Sequence, residues 1–453
     1  MGRRSHSRAL GVWANGLRVG RWLIPTSGPM EFSYDASWIT SEQVRPLSLS
    51  MPINLDGMPL KGDKVGFFFD NLLPDSEVIR QRVRARFHTR SGDAFDLLEA
   101  IGRDCVGALQ LLPEGRTPEG VSEISATPLS DSDVEKRLVG AVSGAAPSHD
   151  DDDDEFRISI AGAQEKTALT WHKKRWCRPH RATPTTHIFK LPLGLVGGRQ
   201  MDMSASLENE WLCARLLAEY GVPVAPCEVK QFGATKALVV TRFDRALHSG
   251  GRYWLRIPQE DFCQATGTPS SSKSEADGGP GLTDIARILQ GSESREDDLA
   301  TLLRAQLLFW MLAATDGHAK NFSIRLLAQG RYRLTPVYDV LSAWPITGPR
   351  HNQVHLKKLK LAMAVRGTSK HYRVAEIERR HFNATAQQCG LGLDMEPIID
   401  DAVAKTKVVI ERVGASLPKG FPEQVFASVT GGLQRSSHLI QSMAAGEGRR
   451  RRQ

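Results

Sequence analysis

At 453 residues and 41% hydrophobic side chains, the chain exceeds the size at which one core stops growing, so two or three lobes are expected. Its longest apolar runs, such as Leu307 to Ala314, fall far short of the roughly 20 residues a bilayer requires, which excludes a membrane span and a secretion signal from the reading. The formal charge of +8 invites nucleic acid as a partner, but Arg3, Arg4, Arg8 and Arg449 to Arg452 supply seven of those charges and leave a near-neutral body. Cys105, Cys177, Cys213, Cys227, Cys263 and Cys389 form no C-x-x-C pair, so a reducing cytoplasm and small buried thiols are expected.

Residues 10 to 24 and 65 to 69 alternate or cluster as short strands, and SEVIRQRVRARF reads as a helix. Residues 1–120 are expected to form a small α+β module closing at VGALQLLP. From Thr117 the composition shifts to Ser, Pro, Gly, Ala and acid, so residues 121–155, ending in the run Asp150 to Glu155, read as an acidic mobile linker. Phe156 to Ile160 and Thr167 to Trp171 read as the arms of a hairpin around Ala161, Gly162 and Ala163. THIFKLP is a strand stopped by Pro192, LENEWLCARLLAEYG a helix ending at Gly221, and KALVVTRFDR a further strand. Residues 156–258 thus form a β-rich lobe, residues 259–440 an α-helical one, and residues 441–453 a basic disordered tail.

Phosphoryl transfer from ATP needs a loop over the phosphates, a cation to grip them, a carboxylate for the acceptor hydroxyl and magnesium ligands. Candidates for all four occur in kinase order. Ala161, Gly162 and Ala163 would let backbone N–H groups approach phosphate oxygens, although one glycine in a hairpin is also an ordinary turn. Lys190, on a strand, and Glu210, on the next helix, match the order of the kinase ion pair that holds the lysine against the α- and β-phosphates; a solvated lysine and an unrelated glutamate are the alternative.

ATDGHAKNF carries the sharper signal, because Asp316 and Asn321 have the D-x-x-x-x-N spacing of a kinase catalytic loop. Asp316 would orient or accept the acceptor hydroxyl proton, Asn321 would hold magnesium through its oxygen, and Lys320 would neutralise charge on the transferred group. His318 reads either as an orienter of Asp316 or as a structural histidine. Asp339, in LTPVYDVLS, reads as a second magnesium carboxylate or as a turn-initiating residue.

RISIAGAQEKTAL, THIFKLP, NEWLCARLLAEYG, RFDR, PQEDFCQATG, ATDGHAKNFSI and LTPVYDVLSA together resemble the HipA serine/threonine kinase toxins of bacterial toxin–antitoxin modules, from about Leu10 to SLPKGFP. The resemblance implies a two-lobed, protein-kinase-like α+β fold with an added N-terminal subdomain. It implies Asp316 as catalytic base, Asn321 and Asp339 on Mg2+, Lys190 on the ATP phosphates, and Thr241, Arg242 and Phe243 as the adenine hinge. The family's acidic residue before R-F-D-R is replaced here by Thr241, which leaves backbone contacts to adenine. Ser159 matches the serine that such proteins autophosphorylate, and a phosphate there would repel ATP. An aminoacyl-tRNA synthetase such as the glutamyl enzyme is the implied substrate. A HipB-like helix-turn-helix antitoxin is the implied partner, with DNA reached mainly through it.

D-x-H-x-x-N also resembles the loop of phosphoinositide kinases and of small-molecule phosphotransferases. A non-catalytic corepressor scaffold is the reading from a different class, and it has no chemical need for Lys190, Asp316, Asn321 and Asp339 together.

Overall fold

The computed structural model describes residues 6–54, 56–143, 164 and 166–444. Ser159, Ala161, Gly162, Ala163, the arm 156–160, the acidic run 150–155 and the arginines at 3–4 and 449–452 lie outside the described residues. The chain is α+β and divides into two compact units. The first comprises the described residues up to Leu191 with Lys230–Ser272 and Ile324–Tyr332; the second comprises Pro192–Val229, Lys273–Ser323 and the described residues from Arg333 onward. Among the described residues, no helix is long and apolar enough to cross a membrane.

Among its described residues the first unit shows two hydrophobic cores. One lies under an antiparallel sheet of strands ordered Leu60–Lys61, Glu31–Tyr34, Leu17–Ile24, Arg8–Ala14 and Leu109–Pro113. Its inward side chains, among them Leu10, Val12 and Trp22, meet Phe68 and Phe69, and Trp22 stacks on Phe69 at 4.0 Å between centroids. Residues 65 to 69, expected as a strand, lie instead in the helix Asp63–Asp70. Val65, Phe68 and Phe69 are its buried residues, spaced i, i+3, i+4, so the apolar cluster has the helical period rather than alternation. The arginine-rich helix Glu77–Phe87 forms as expected, with Ser76 accepting from the Ile79 N–H at its N-cap.

The second core is built on six strands ordered Cys227–Phe232, Thr235–Thr241, His187–Lys190, Lys166–His172, Arg175–Pro179 and Ala126–Pro128. Lys166–His172 pairs with Arg175–Pro179 through Lys173 and Lys174, both at positive φ (47° and 60°). That is a primed turn made without glycine, which hid the hairpin from sequence reading.

The linker expectation is corrected between Ala126 and Ser143, where a strand and the helix Asp131–Ser143 form. Val134 and Leu138 are wholly buried against Leu169, Phe189 and Val239, while Glu135 accepts from Ala234 N–H at 2.6 Å. Ser130 and Asp133 exchange hydrogen bonds at the helix start, a Ser-x-x-Asp signal that the Ser- and Ala-rich composition obscured.

Glu260 is wholly buried on the strand Gln259–Asp261 and accepts from the Leu49 N–H at 2.9 Å. Burial pushes its carboxyl up to about 8, against the partial relief of the Ser48 side chain and the Leu49 N–H. The folded state therefore favours the neutral acid. Its contribution to stability is full below the ordinary value of 4.5 and is lost as pH rises from there toward about 8. Glu260→Gln is expected to melt near wild type at about pH 5 and several degrees above it at about pH 8.5, since each pKa unit is worth about 1.4 kcal/mol. A gap that stays constant with pH in a thermal melting series contradicts this.

In the second unit the helices Glu396–Ala415 and Glu423–Ser442 pack against Ser206–Glu219 and Arg295–Met311. Arg295–Met311 is buried from Leu302 to Met311 on nearly every face, and it ends where the loop 312–322 begins. The strands Lys360–Arg366 and Lys370–Arg373 interrupt the α-rich region. The Ser- and Gly-rich stretch before Gly281 is also ordered by a charge. Glu275, on the turn Glu275–Asp277, is buried and accepts from Ala364 N–H and Arg366 at 2.7 and 2.8 Å.

Candidate active site

Asp316 stands in the loop after Arg295–Met311. Its carboxylate is 74% exposed, while its main-chain carbonyl accepts from His318 N–H at 2.8 Å and from Asn321 Nδ2 at 2.7 Å. The loop therefore closes on a backbone oxygen and presents the acid side chain outward. Asn321 is buried, and with its amide nitrogen donated to Asp316, its Oδ1 is the atom left to accept or ligate. His318 is buried and its Nε2 lies 3.7 Å from Asp316 Oδ1, an electrostatic approach too long for a hydrogen bond. Lys320 is buried in the turn Ala319–Asn321.

Gly317 shows why the loop reads D-G-H. A Cβ there would overlap the ring of Phe309, itself buried in the preceding helix. Gly317→Ala must shift either ring or loop, at about 1–3 kcal/mol. If the loop carries the acceptor base expected from its spacing, phosphoryl transfer should fall about 100-fold, since displacing a reacting group by about 1 Å costs that much. A rate within threefold of wild type would show that the loop absorbs the methyl group.

Asp339 follows Tyr338 and sits at φ 62°, a left-handed conformation uncommon outside glycine, asparagine and aspartate. Such conformations persist where surrounding contacts impose them, often at functional sites. Here Val337 exchanges backbone hydrogen bonds with Pro223 and Ala225 before it, and Ser342 is held after it. Ser342 Oγ donates to Leu312 carbonyl at 2.6 Å, and the Ser342 backbone exchanges two bonds with the side chain of Asn209, at 2.8 and 3.0 Å. Asn209 adjoins Glu210 on the helix Ser206–Glu219, where both are buried. Asn209 and Ser342 thus tie the Glu210 helix, the Asp339 segment and the end of the core helix together. Sequence reading passed over both, because an Asn beside a Glu on an apolar helix carries no motif.

Asn321 Oδ1 and the Asp339 carboxylate are hard oxygen donors, which fits magnesium better than a soft metal. Among the described residues no three His, Cys, Asp or Glu side chains converge as a metal cage. Magnesium shared with nucleotide phosphates keeps waters and needs only one or two protein carboxylates.

In the first unit, Lys190 is buried on the strand His187–Lys190, opposite Leu238 on one side and Lys166 on the other. Thr241 ends its strand exposed. At Arg242 the hinge expectation narrows. Its guanidinium is buried and donates to Asp244 at 2.7 and 2.9 Å, to Thr185 Oγ1 at 3.0 Å and to Cys105 carbonyl at 2.9 Å. Its N–H donates to Thr186 carbonyl at 2.9 Å, and Phe243 carbonyl accepts from Arg325. The Arg242 side chain and N–H are thus engaged within the fold, so the expected backbone contact to adenine would fall to its carbonyl.

R-F-D-R contributes to a buried charge cluster that sequence reading missed. Asp104 accepts from Arg245, Arg256 and both N–H and Oγ1 of Thr185, and lies 3.6 Å from Arg242. The Asp244 carboxylate accepts from Arg242 and Gly107 N–H and pairs with Arg245 at 3.0 Å. Burial opposes its charge, yet Arg256, Arg245 and Arg242 hold the Asp104 carboxyl far below the usual range. Burial, with Arg242 beside it, pushes Arg245 down to about 9, still charged at neutral pH.

Family models match along most of the chain: the HipA N-terminal domain on residues 10–112 and the HipA-like C-terminal domain on residues 158–410. The chain belongs to the HipA family. It is 32% identical to the candidate kinase Y4mE of Sinorhizobium fredii over 90% of this chain and 92% of that protein. It is 29% identical to the serine/threonine-protein kinase toxin HipA of Shewanella oneidensis over 66% of each chain. The HipA of Shewanella oneidensis MR-1, solved with HipB and its operator DNA, superposes with a TM-score of 0.75 at 22% identity, covering 96% of this chain and 98% of that one. The kinase-like α+β fold expected from the motifs is thus the fold of this HipA-family chain, including its N-terminal HipA domain.

Proposed function

We propose that this HipA-family protein is an ATP-dependent serine/threonine-protein kinase acting as the toxin of a toxin–antitoxin pair. The observation that carries the reading is the Asp316–Asn321 loop, whose internal hydrogen bond turns an acid outward and leaves an amide oxygen for a cation. Asp316 positions the acceptor hydroxyl and takes its proton as the Oγ attacks. Lys190 holds the ATP phosphates, as the kinase pattern of a strand lysine implies. Asn321 and Asp339 hold magnesium, which when bound shields the β- and γ-phosphate charge. Lys320 lends positive charge beside the transferred group.

Relatives named as kinase and toxin support protein as the acceptor class, with an aminoacyl-tRNA synthetase such as the glutamyl enzyme as the proposed target. A HipB-like antitoxin is the proposed partner, since the Shewanella protein was solved with HipB and operator DNA. Autophosphorylation of Ser159 is proposed as self-inactivation, because a dianion beside the phosphate loop would repel ATP. With γ-labelled ATP and protein, phosphoinositide and aminoglycoside acceptors offered together, label is expected on protein. Label on lipid or aminoglycoside alone would reassign the acceptor, and no transfer to any of them would favour the scaffold.

A further inference from the structure

Tyr338 precedes Asp339 and has no part in the chemistry proposed above. Its Oη lies 2.9 Å from Lys320 carbonyl and 2.6 Å from Ser323 Oγ. A carbonyl can only accept, so the single phenolic proton goes to Lys320, and the Ser323 hydroxyl must then donate to Tyr338. One directed chain results, from Ser323 through Tyr338 to Lys320.

The peptide between Lys320 and Asn321 is thereby held from both sides. Its carbonyl accepts from Tyr338, and its N–H donates to His318 carbonyl at 2.9 Å. That fixes the backbone from which the Asn321 side chain springs. Tyr338 is also bonded directly to Asp339, whose left-handed φ sets the direction of its carboxylate. Thr335 N–H donates to Ser323 carbonyl at 2.9 Å, so the two segments are already joined one step further back. The phenol is thus a link between the two segments one residue away from each assigned metal donor.

We propose that Tyr338 is a positioning residue of the metal site, its hydroxyl setting the separation between Asn321 and Asp339. The inference rests on the kinase reading and names a residue beyond it. Because Val337, Thr335 and Ser342 anchor the same segment through other bonds, removing one oxygen should leave the fold intact.

The test uses metal-stripped full-length protein, a non-hydrolysable ATP analogue at saturation, and Mn2+ titrated by electron paramagnetic resonance. Tyr338→Phe is expected to raise the Mn2+ concentration at half-saturation about tenfold, the usual effect of loosening a group that orients a ligand. Ser323→Ala is expected to raise it less, since Tyr338 still donates to Lys320. The melting temperature of the metal-free variants should stay near wild type. Unchanged half-saturation in Tyr338→Phe, or in Ser323→Ala should the first fail to fold, overturns the proposal, whatever happens to melting. Wild-type protein that takes up no Mn2+ with the analogue overturns the kinase reading and this inference with it.

Discussion

Asp316→Ala is expected to lower the rate of phosphoryl transfer by about 10²- to 10⁴-fold, the range for a lost general base, while ATP affinity and melting temperature change little. The split follows from where the loop is tied. Two of its internal hydrogen bonds end on the Asp316 carbonyl and a third on the His318 carbonyl, all backbone acceptors that alanine at 316 retains, and the exposed carboxylate can leave without opening a cavity. Rate loss with intact binding separates chemistry from folding. If Asp316→Ala transfers phosphate as fast as wild type, the loop is not catalytic. In cells the same variant should cease to arrest growth, and unchanged toxicity would favour the scaffold.

Asp104→Ala is the substitution expected to cost most in stability. Removing it leaves Arg242, Arg245 and Arg256 buried with Asp244 as the remaining carboxylate of the cluster, and Thr185 loses its acceptor. Breaking a buried pair costs about 3–5 kcal/mol, a large share of the roughly 5–15 kcal/mol by which a domain is stable. We expect the variant to be largely insoluble, or to melt well below wild type in the transition of the first unit. The sign with pH follows from the depressed carboxyl. Its stabilisation is present above the ordinary carboxylate range and is lost as pH falls through and below that range. Asp104→Asn should therefore narrow its deficit in acid, as the wild type loses the same charge. A variant that melts within a degree of wild type at neutral pH would show that the cluster carries no net stability.

Which features were legible in the sequence follows from how local their causes are. The helix after Ser76, the strand ended by Pro192 and the helix ended at Gly221 announce themselves within a dozen residues through caps and periodicity. Catalytic loop chemistry is local as well, so Asp316 and Asn321 stand out by spacing, and the amide of one does reach the carbonyl of the other. The structural role of the Arg242 guanidinium is not legible locally, because its partners, Cys105, Thr185 and Asp244, come mostly from distant parts of the chain. The helix Asp63–Asp70 imitates a strand in sequence because three adjacent phenylalanines mask its period, and Asp131–Ser143 hides in a composition typical of linkers. Tyr338, Asn209 and Ser342 carry no motif at all. Each acts by a hydrogen bond to a backbone or side chain far away in sequence, which only the folded chain brings within reach.

On the proposed function, Asn321 and Asp339 serve one divalent cation bound with ATP. Calorimetric titration of metal-stripped protein with ATP, with and without magnesium, tests it most directly. ATP binding by wild type should tighten with magnesium, and that magnesium-dependent gain should vanish in both Asp339→Asn and Asn321→Ala. Binding by both variants that tightens with magnesium as fully as wild type would contradict it.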